Sequence, residues 1–301
     1  MKDMQEKLRA AVKTLLDKHE VAFVIGYQRG SVRGRSKPCF VRTPEQADQL
    51  IWDQTCSNNL TVYLPPLFRR PRLRPGQEPP PLPRVGIVVK GCDALSVAGL
   101  VREKQVPRAN IVAIGMPCQG ILDPDSKQVL PSCLDCQHPV PEQADIKIDG
   151  PAREPAKDPL ARAREFEAKP IEERWRYFAE QIKKCIRCYA CREACPNCYC
   201  KSCFADSTNP RWIGLSSEQS DTMLYQLGRL FHQAGRCVGC NACVRACPMG
   251  VDLHTFTTKL LKDAKELFDD TPGEDTESVP LLSTFDPHDS DAFITDPDKQ
   301  D

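Results

Sequence analysis

The sequence predicts two domains of different class: an α/β domain over residues 1–150 and a mainly α-helical, cysteine-rich domain over residues 171–268. Three observations predict it. The first 150 residues alternate short apolar runs with helix-period segments, the pattern of a parallel sheet with helical crossovers. Residues beyond 171 carry helical periodicity and two near-copies of one cysteine phrase. Between them, residues 151–170 are rich in Pro, Ala, Arg and Glu and have the composition of a linker. With 301 residues, each domain has enough chain to bury a core of its own.

Taken in order, Met4 to Lys18 places Leu8, Val12, Leu15 and Leu16 at helical spacing. Val21 to Ile25 reads as a buried strand, and Gly26 opens a loop through Arg35. That loop is rich in glycine and arginine, so Arg29, Gly30 and Arg33 are candidate flavin-phosphate ligands; a solvated turn is the alternative. Thr43-Pro44 is an N-cap and first helical residue for a helix through Trp52. Leu60 to Leu64 reads as a strand. Pro65 to Pro83 holds eight prolines and several arginines and is expected to be an exposed, semi-rigid excursion. Its arginines offer a dock for an acidic partner. Val85–Val89, a helix from Asp93 to Gln105, and Ile111–Ile114 then form a right-handed strand–helix–strand unit.

Two cysteines end these strands. Cys92 follows the strand ending at Val89, and Cys118 follows the one ending at Ile114. Parallel strands deliver their carboxyl ends to one edge, where open α/β sheets build their sites. Asp93 is expected to cap the following helix, whose dipole favours a thiolate at Cys92. Cys133-x2-Cys136 follows Cys118 closely, so these four thiols are a candidate third [4Fe-4S] site; ordinary buried thiols are the alternative. Cys39 and Cys56 have no partner in sequence and read as structural.

The second domain opens with an amphipathic helix, Ile171 to Lys184, carrying Ile171, Trp175, Phe178 and Ile182 on one face. Then come Cys185-x2-Cys188-x2-Cys191-x3-Cys195-Pro196 and Cys237-x2-Cys240-x2-Cys243-x3-Cys247-Pro248. This is bacterial ferredoxin spacing, in which the fourth cysteine of each phrase reaches the other cluster. Cys185, Cys188, Cys191 and Cys247 are therefore assigned to cluster 1, and Cys237, Cys240, Cys243 and Cys195 to cluster 2. Zinc ribbons also use paired cysteines, but four ligands per zinc give no role to the third cysteine of each phrase or to the proline. Cys198, Cys200 and Cys203 have no settled role: another metal, replacement of an assigned ligand, and hydrogen-bonding thiols all remain open. Helices are expected from Asp221 to Gln233, ended by Gly235, and from about Leu253 to Phe268. Residues 269–301 are acidic and proline-spaced and read as a disordered tail, in which Leu281, Leu282 and Phe285 are a candidate docking segment. The fold class is thus an α/β N-terminal domain followed by a mainly α-helical dicluster ferredoxin domain.

Formal net charge is zero, which argues against a nucleic-acid or membrane-surface partner. The N-terminus is charged and shows no signal peptide, and no apolar run is long enough to span a bilayer. Seventeen cysteines in metal-ligand spacing point to a reducing cytoplasm rather than a disulfide scaffold. There is no G-x-G-x-x-G dinucleotide fingerprint.

The phrases GCDALSVAGL, GMPCQG, CLDC and Ala144-Asp145-Ile146-x3-Gly150 occur in the order seen in the beta-subunit family of coenzyme F420-reducing hydrogenase and formate dehydrogenase, which residues 85–150 resemble well. The resemblance implies an iron–sulfur flavoprotein carrying FAD beside a cluster and exchanging electrons with F420. It also implies Cys118, Cys133 and Cys136 as ligands, with Cys92 the natural fourth. The chain departs from that family by passing directly into the ferredoxin module, which puts the F420 pocket in doubt. The wide, helix-filled spacing of the two phrases, with His232-Gln233-Ala234-Gly235-Arg236-Cys237, resembles the module of heterodisulfide reductase C-type and succinate dehydrogenase iron–sulfur subunits. The expectation is an electron-transfer subunit of a cytoplasmic, anaerobic redox complex. Its partners would be heterodisulfide reductase-like, hydrogenase or dehydrogenase subunits, with no acid–base pair or nucleophile of its own. The alternatives are a flavin-containing oxidoreductase acting on F420 or a similar carrier, and a zinc-bound assembly or regulatory protein.

Overall fold

A computed structural model describes residues 2–283 except 70–73, 75 and 217. Helix α1 (Lys2–Asp17) buries Met4, Leu8, Val12, Leu15 and Leu16, the face read from its periodicity. Strand β1 (Phe23–Arg29) pairs antiparallel with β2 (Ser36–Val41). Gly26 therefore lies inside β1 rather than opening a loop. A Cβ there would stand 2.4 Å from the Leu50 side chain, so the strand needs glycine to let that loop pack close.

The expected helix from Thr43 is a short 3-10 segment, Glu45–Gln49. The expected strand at 60–64 is not formed either. Asn59 accepts the Thr61 N–H at 3.1 Å and caps a 3-10 turn, Leu60–Tyr63. That turn runs into α2 (Leu64–Phe68), whose two prolines sit where a helix start tolerates them. Leu64, Pro65 and Phe68 are buried, so the proline-rich excursion is packed at its beginning and exposed from Gly76 to Pro81.

Strand β3 (Val85–Val89), helix α3 (Gly91–Arg102) and strand β4 (Ile111–Gly115) form the predicted parallel unit. Helix α3 begins two residues earlier than expected, so Asp93 lies in its first turn and accepts the Lys90 N–H at 3.2 Å from within. Gly91 is obligatory there, since a Cβ would meet the His138 carbonyl at 1.8 Å. The short α4 (Pro131–Leu134) carries Cys133, and β5 (Ile146–Lys147) completes a sheet of order β2-β1-β3-β4-β5 in which only β1–β2 is antiparallel.

Residues 151–170 contain α5 (Ala161–Glu167), so the expected linker is partly packed. Phe166 meets Tyr177 and Phe256, and Glu167 pairs with Lys259 at 2.7 Å and Lys262 at 2.9 Å. Helix α6 (Ile171–Lys183) buries Phe178 and Ile182, but Ile171 is 66% and Trp175 57% exposed, so only half of its stripe is core. The short α7 (Ala190–Glu193) and α9 (Ala242–Ala246) pack together, flanked by α8 (Gln219–Phe231) and α10 (Leu253–Phe268).

The segment after α10, read from composition as a disordered tail, packs against α3 as far as it is described. Arg102, whose side chain is 2% exposed, pairs with Asp270 at 2.7 Å and donates to the carbonyls of Ser278 and Val279. A buried guanidinium needs such partners, and this segment supplies them. Leu281 lies against Gly235 and Leu282 is 53% exposed; Phe285 and the rest of 284–301 fall outside the described residues.

The two domains are joined by polar contacts. Glu103 at the end of α3 accepts from Tyr199 at 2.6 Å and Arg236 at 3.0 Å, and Arg245 donates to the Ser57 carbonyl at 2.9 Å. Among the described residues, no helix is long and apolar enough to cross a membrane.

Candidate functional site

Each ferredoxin-type phrase turns on a pair of left-handed residues at equivalent places: Arg187 (φ 49°) and Tyr189 (φ 61°) in the first, Gly239 (φ 66°) and Asn241 (φ 53°) in the second. Alternating left-handed residues curl the backbone and point successive side chains and amides inward. Helices α7 and α9 then carry Cys191 and Cys243 into one core with Cys185, Cys247, Tyr225 and Val251.

Cys247 of the second phrase packs against the core that holds Cys185 and Cys191 of the first. Burial pushes the Cys191 thiol up, and the neighbouring Cys185 and Cys247 add to the rise. Burial likewise pushes Cys243 up to about 12, with Cys195 and Cys240 adding and Arg229 opposing. Cys237 is raised chiefly by burial, with contributions from Cys243, Cys240 and Cys195. Cys188 is exposed and is the most accessible member of the first group. Sulfur acceptors are met by donors: Gln226 Nε2 to Cys185 at 3.2 Å, and the Val251 N–H to Cys247 at 3.4 Å.

The third group sits at the predicted sheet edge. Cys92, Cys118, Cys133 and Cys136 line one cavity, together with Lys90, Arg153 and Arg245. Backbone N–H groups of Gly120, Ile121 and His138 donate to Cys118, Cys133 and Cys136 at 3.4, 3.4 and 3.3 Å. Cys136 is pushed up to about 11, mainly by burial. Cys92 differs: its thiol donates to Asp93 at 3.8 Å, and burial and that carboxylate both hold its pKa well above the ordinary range. Cys240 of the second phrase lines the same cavity.

The donor chemistry of all three groups fits iron–sulfur clusters. Cubanes carry negative charge and are tuned by N–H donors to sulfur. Buried Arg229 and half-buried Arg245 supply further donors that lack partners among the described residues: Nε and Nη1 of Arg229, and Nη2 of Arg245. The Arg229 guanidinium donates to the Cys191 carbonyl at 3.0 Å and lines the cleft of Cys195 and Cys198, beside members of the first and second groups. Burial opposes its charge, but Cys243, Cys195, Cys198 and Cys191 outweigh it and raise its pKa. Cys240, Cys92 and Cys133 raise that of Arg245, which lies between the second and third. A single zinc needs four donors within about 2.3 Å of one point. Among the described residues, no three His, Cys, Asp or Glu side chains converge in that way.

The remaining sequence candidates separate. Cys198 stands beside Cys195, whereas Cys200 is exposed and Cys203 lines, with Cys195 and Cys198, an open cleft of about 320 Å³. Arg29 is paired with Asp53 at 2.8 Å, and the Gly30 N–H closes the hairpin on the Arg35 carbonyl at 2.8 Å. Cys39 and Cys56 are buried in the α/β core, as expected for structural thiols. Arg229, Arg245, Gln226, Gln233 and Lys90 escaped the sequence reading. The one available signal was polar residues Thr222, Gln226 and Arg229 at helical spacing on the buried face of α8, with buried Gln233 just beyond its end.

Comparison with known proteins agrees with this chemistry. Residues 181–251 match the 4Fe-4S dicluster domain. The chain is similar to the F420-dependent formate dehydrogenase subunit beta of Methanocaldococcus jannaschii, 28% identical over 40% of this chain and 32% of the relative. It is 25% identical to the F420-dependent formate dehydrogenase 1 subunit beta of Methanococcus maripaludis, over 41% of this chain and 32% of the relative. It is also 31% identical to the succinate dehydrogenase iron–sulfur subunit of Bacillus subtilis, over 31% of this chain and 39% of the relative. The matched regions span about a third of the two formate dehydrogenase subunits and about two fifths of the third relative. The chain therefore resembles subunits of two kinds of dehydrogenase, and its 4Fe-4S dicluster domain and iron–sulfur relative support an electron-transfer role.

Proposed function

We propose that this chain is an electron-transfer subunit of a larger redox complex, relaying electrons along three [4Fe-4S] clusters. Cluster 1 would be held by Cys185, Cys188, Cys191 and Cys247, and cluster 2 by Cys237, Cys240, Cys243 and Cys195. The third would be held by Cys118, Cys133, Cys136 and Cys92. The observation that carries the reading is the wall shared by the last two groups: Cys240 lines the cavity formed by Cys92, Cys118, Cys133 and Cys136. When bound, each cluster supplies one-electron chemistry, at a potential set by charge and hydrogen bonding around its sulfurs. The chain's own residues do the rest. Backbone amides orient the thiolates, Arg229 and Arg245 hold positive charge between successive groups, and burial excludes water. The names of the formate dehydrogenase relatives favour a dehydrogenase complex as the setting.

A second reading, a flavin-containing oxidoreductase acting on coenzyme F420 or a similar carrier, draws on one observation. A cavity of about 670 Å³ lies between the domains, lined by Ser36, Ser57, Asn58, Asp123 and Arg245 among others. It adjoins the third group through Ile121 and Arg245.

Anaerobic purification with iron, sulfide, zinc and flavin quantified on one sample tests both. About twelve irons per chain without flavin is expected of the three-cluster relay. About eight irons removes the third site, and stoichiometric flavin favours the second reading. Zinc in place of iron and sulfide overturns electron transfer altogether.

A further inference from the structure

Of the eight cysteines in the two phrases, Cys188 alone is exposed. It lies between Cys185 and Cys191, both part of the small core that also holds Ile213, Cys247 and Val251. Each segment that enters this core leaves a large apolar side chain in water beside it: Ile186 next to Cys185, Trp212 and Leu215 around Ile213, and Met249 between Cys247 and Val251. They range from 44% exposed at Met249 to 84% at Leu215. Hydrogen bonds tie these segments into one rim. Arg187 Nη2 donates to the Gly214 carbonyl at 2.8 Å, which joins the turn of Cys185 and Cys188 to Trp212 and Leu215. Gln181 Oε1 accepts from Lys184 Nζ at 2.9 Å and from the Asp252 N–H at 3.0 Å, which joins that turn to the segment of Met249. Apolar residues scattered singly on a surface are ordinary, whereas several around one core mark an interaction site.

The rim is also cationic. Lys183, Lys184 and Arg211 are exposed, and none takes part in an ion pair among the described residues. Arg187 is buried, and its Nε and Nη1 lack partners among the described residues, so a fixed positive charge lies under the rim. The contacts place two carboxylates here. Asp221 stands beside Gly214, and Asp252 is turned inward onto Tyr177 and Thr255.

We propose that this rim docks a one-electron redox protein that presents carboxylates around an apolar centre, and that cluster 1 is the end of the relay facing it. The proposal rests on the cluster reading above. Docking covers Ile186, Trp212, Leu215 and Met249 and sets the partner's carboxylates against Lys183, Lys184 and Arg211. An apolar centre with a charged surround is the usual anatomy of such a contact, and the charges steer encounter and fix register. One electron passes between cluster 1 and the partner's centre, so that one is oxidised as the other is reduced, and no proton or atom is exchanged. Cys188 is the ligand across which the two centres come closest. A second copy of this chain would set the same cations against each other, so charge disfavours it as the occupant.

The test is stopped-flow electron transfer from a reduced, acidic [2Fe-2S] ferredoxin to the anaerobically purified chain, over a range of salt. The variants are Lys183→Glu/Lys184→Glu, Trp212→Ser and, at the end of α10 away from Val251, Leu267→Ser. Iron and sulfide are counted in each, so loss of a cluster is told apart from loss of docking. The lysine reversal should slow the bimolecular rate about tenfold at low salt, with the gap closing as salt rises. Trp212→Ser should slow it about tenfold at every salt concentration, and Leu267→Ser should leave it as it is. Wild-type rates in both rim variants, or no transfer to the iron-loaded wild type, overturn the proposal. Should Trp212→Ser lose iron, the lysine reversal decides alone. Sedimentation at the assay concentration covers the other occupant: a wild-type dimer that Trp212→Ser converts to monomer means that a second copy covers the rim, which overturns the acidic partner. A wild-type chain without iron overturns the cluster reading itself, and the wild-type count tells that failure apart from the others.

Discussion

Lys90 Nζ lies 2.7 Å from the Asp93 carboxylate, and the two side chains are 2% and 0% exposed. The ammonium has three acceptors for its three protons, since it also meets Tyr27 Oη at 2.6 Å and the Asn58 carbonyl at 2.8 Å. This network sits at the β3–α3 junction, directly under Cys92. Replacing Lys90 by Met leaves Asp93 buried and unpaired, which costs about 3–5 kcal/mol. Denaturant unfolding of Lys90→Met should show that loss, and Lys90→Met/Asp93→Asn should recover part of it. A loss under about 1 kcal/mol would mean water reaches the pair.

The segment after α10 is fastened through Arg102. Asp270→Ala removes its carboxylate partner but leaves the carbonyls of Ser278 and Val279 in place. The expected cost is about 1–3 kcal/mol, the penalty of a buried donor losing one charged partner. Limited proteolysis should then cut between Asp270 and Leu282 sooner than in the wild type. Unchanged cutting would show that this segment is held by other contacts.

Two structural thiols make the fold sensitive to alkali. Burial raises Cys39 to about 11 and Cys56 to about 12 from an ordinary 9.0. Above pH 9 the unfolded chain loses these protons while the folded chain keeps them, so the folded state binds more and stability falls as pH rises. The loss runs from about pH 9 to 11 for Cys39 and to about 12 for Cys56, at about 1.4 kcal/mol per pH unit for each thiol. Unfolding free energies at pH 8.5 and 10.5 should therefore differ less in Cys56→Ala than in the wild type. Equal differences in the two proteins would remove Cys56 as a cause.

Much of this organisation could be read from sequence, and what could not has physical causes. The periodicity of α1 and the apolar runs of β3 and β4 were sufficient because burial there follows one face or one run. Cysteine spacing pointed to the 4Fe-4S dicluster domain that residues 181–251 match, because ligand geometry constrains short-range separation. The strand expected at 60–64 failed because a local cap at Asn59 outweighed β-branched propensity. The exposed Ile171 and Trp175 defeated the stripe on α6, since an apolar residue can remain on a surface. Arg229 and Gln233 were invisible because a polar residue on a buried helical face looks like noise until its sulfur neighbours are known.

Arg229 should set the potentials of both clusters it separates. Burial opposes its charge, but Cys243, Cys195, Cys198 and Cys191 outweigh that and hold its pKa well above the ordinary range. Reduction adds negative charge to a cluster, and a fixed cation nearby stabilises the reduced form. Arg229→Gln keeps hydrogen-bonding capacity and removes the charge. At a separation of about 6 Å and an effective dielectric near 20, the lost attraction is about 3 kcal/mol, or on the order of 100 mV for one electron. Redox titration followed by electron paramagnetic resonance should therefore find clusters 1 and 2 harder to reduce in Arg229→Gln, with iron content unchanged. The proposed third cluster, beside Arg245 instead, should shift much less, because the Coulomb attraction falls with distance. A uniform shift of all three would point to a general loosening of the fold rather than to the charge between the first two.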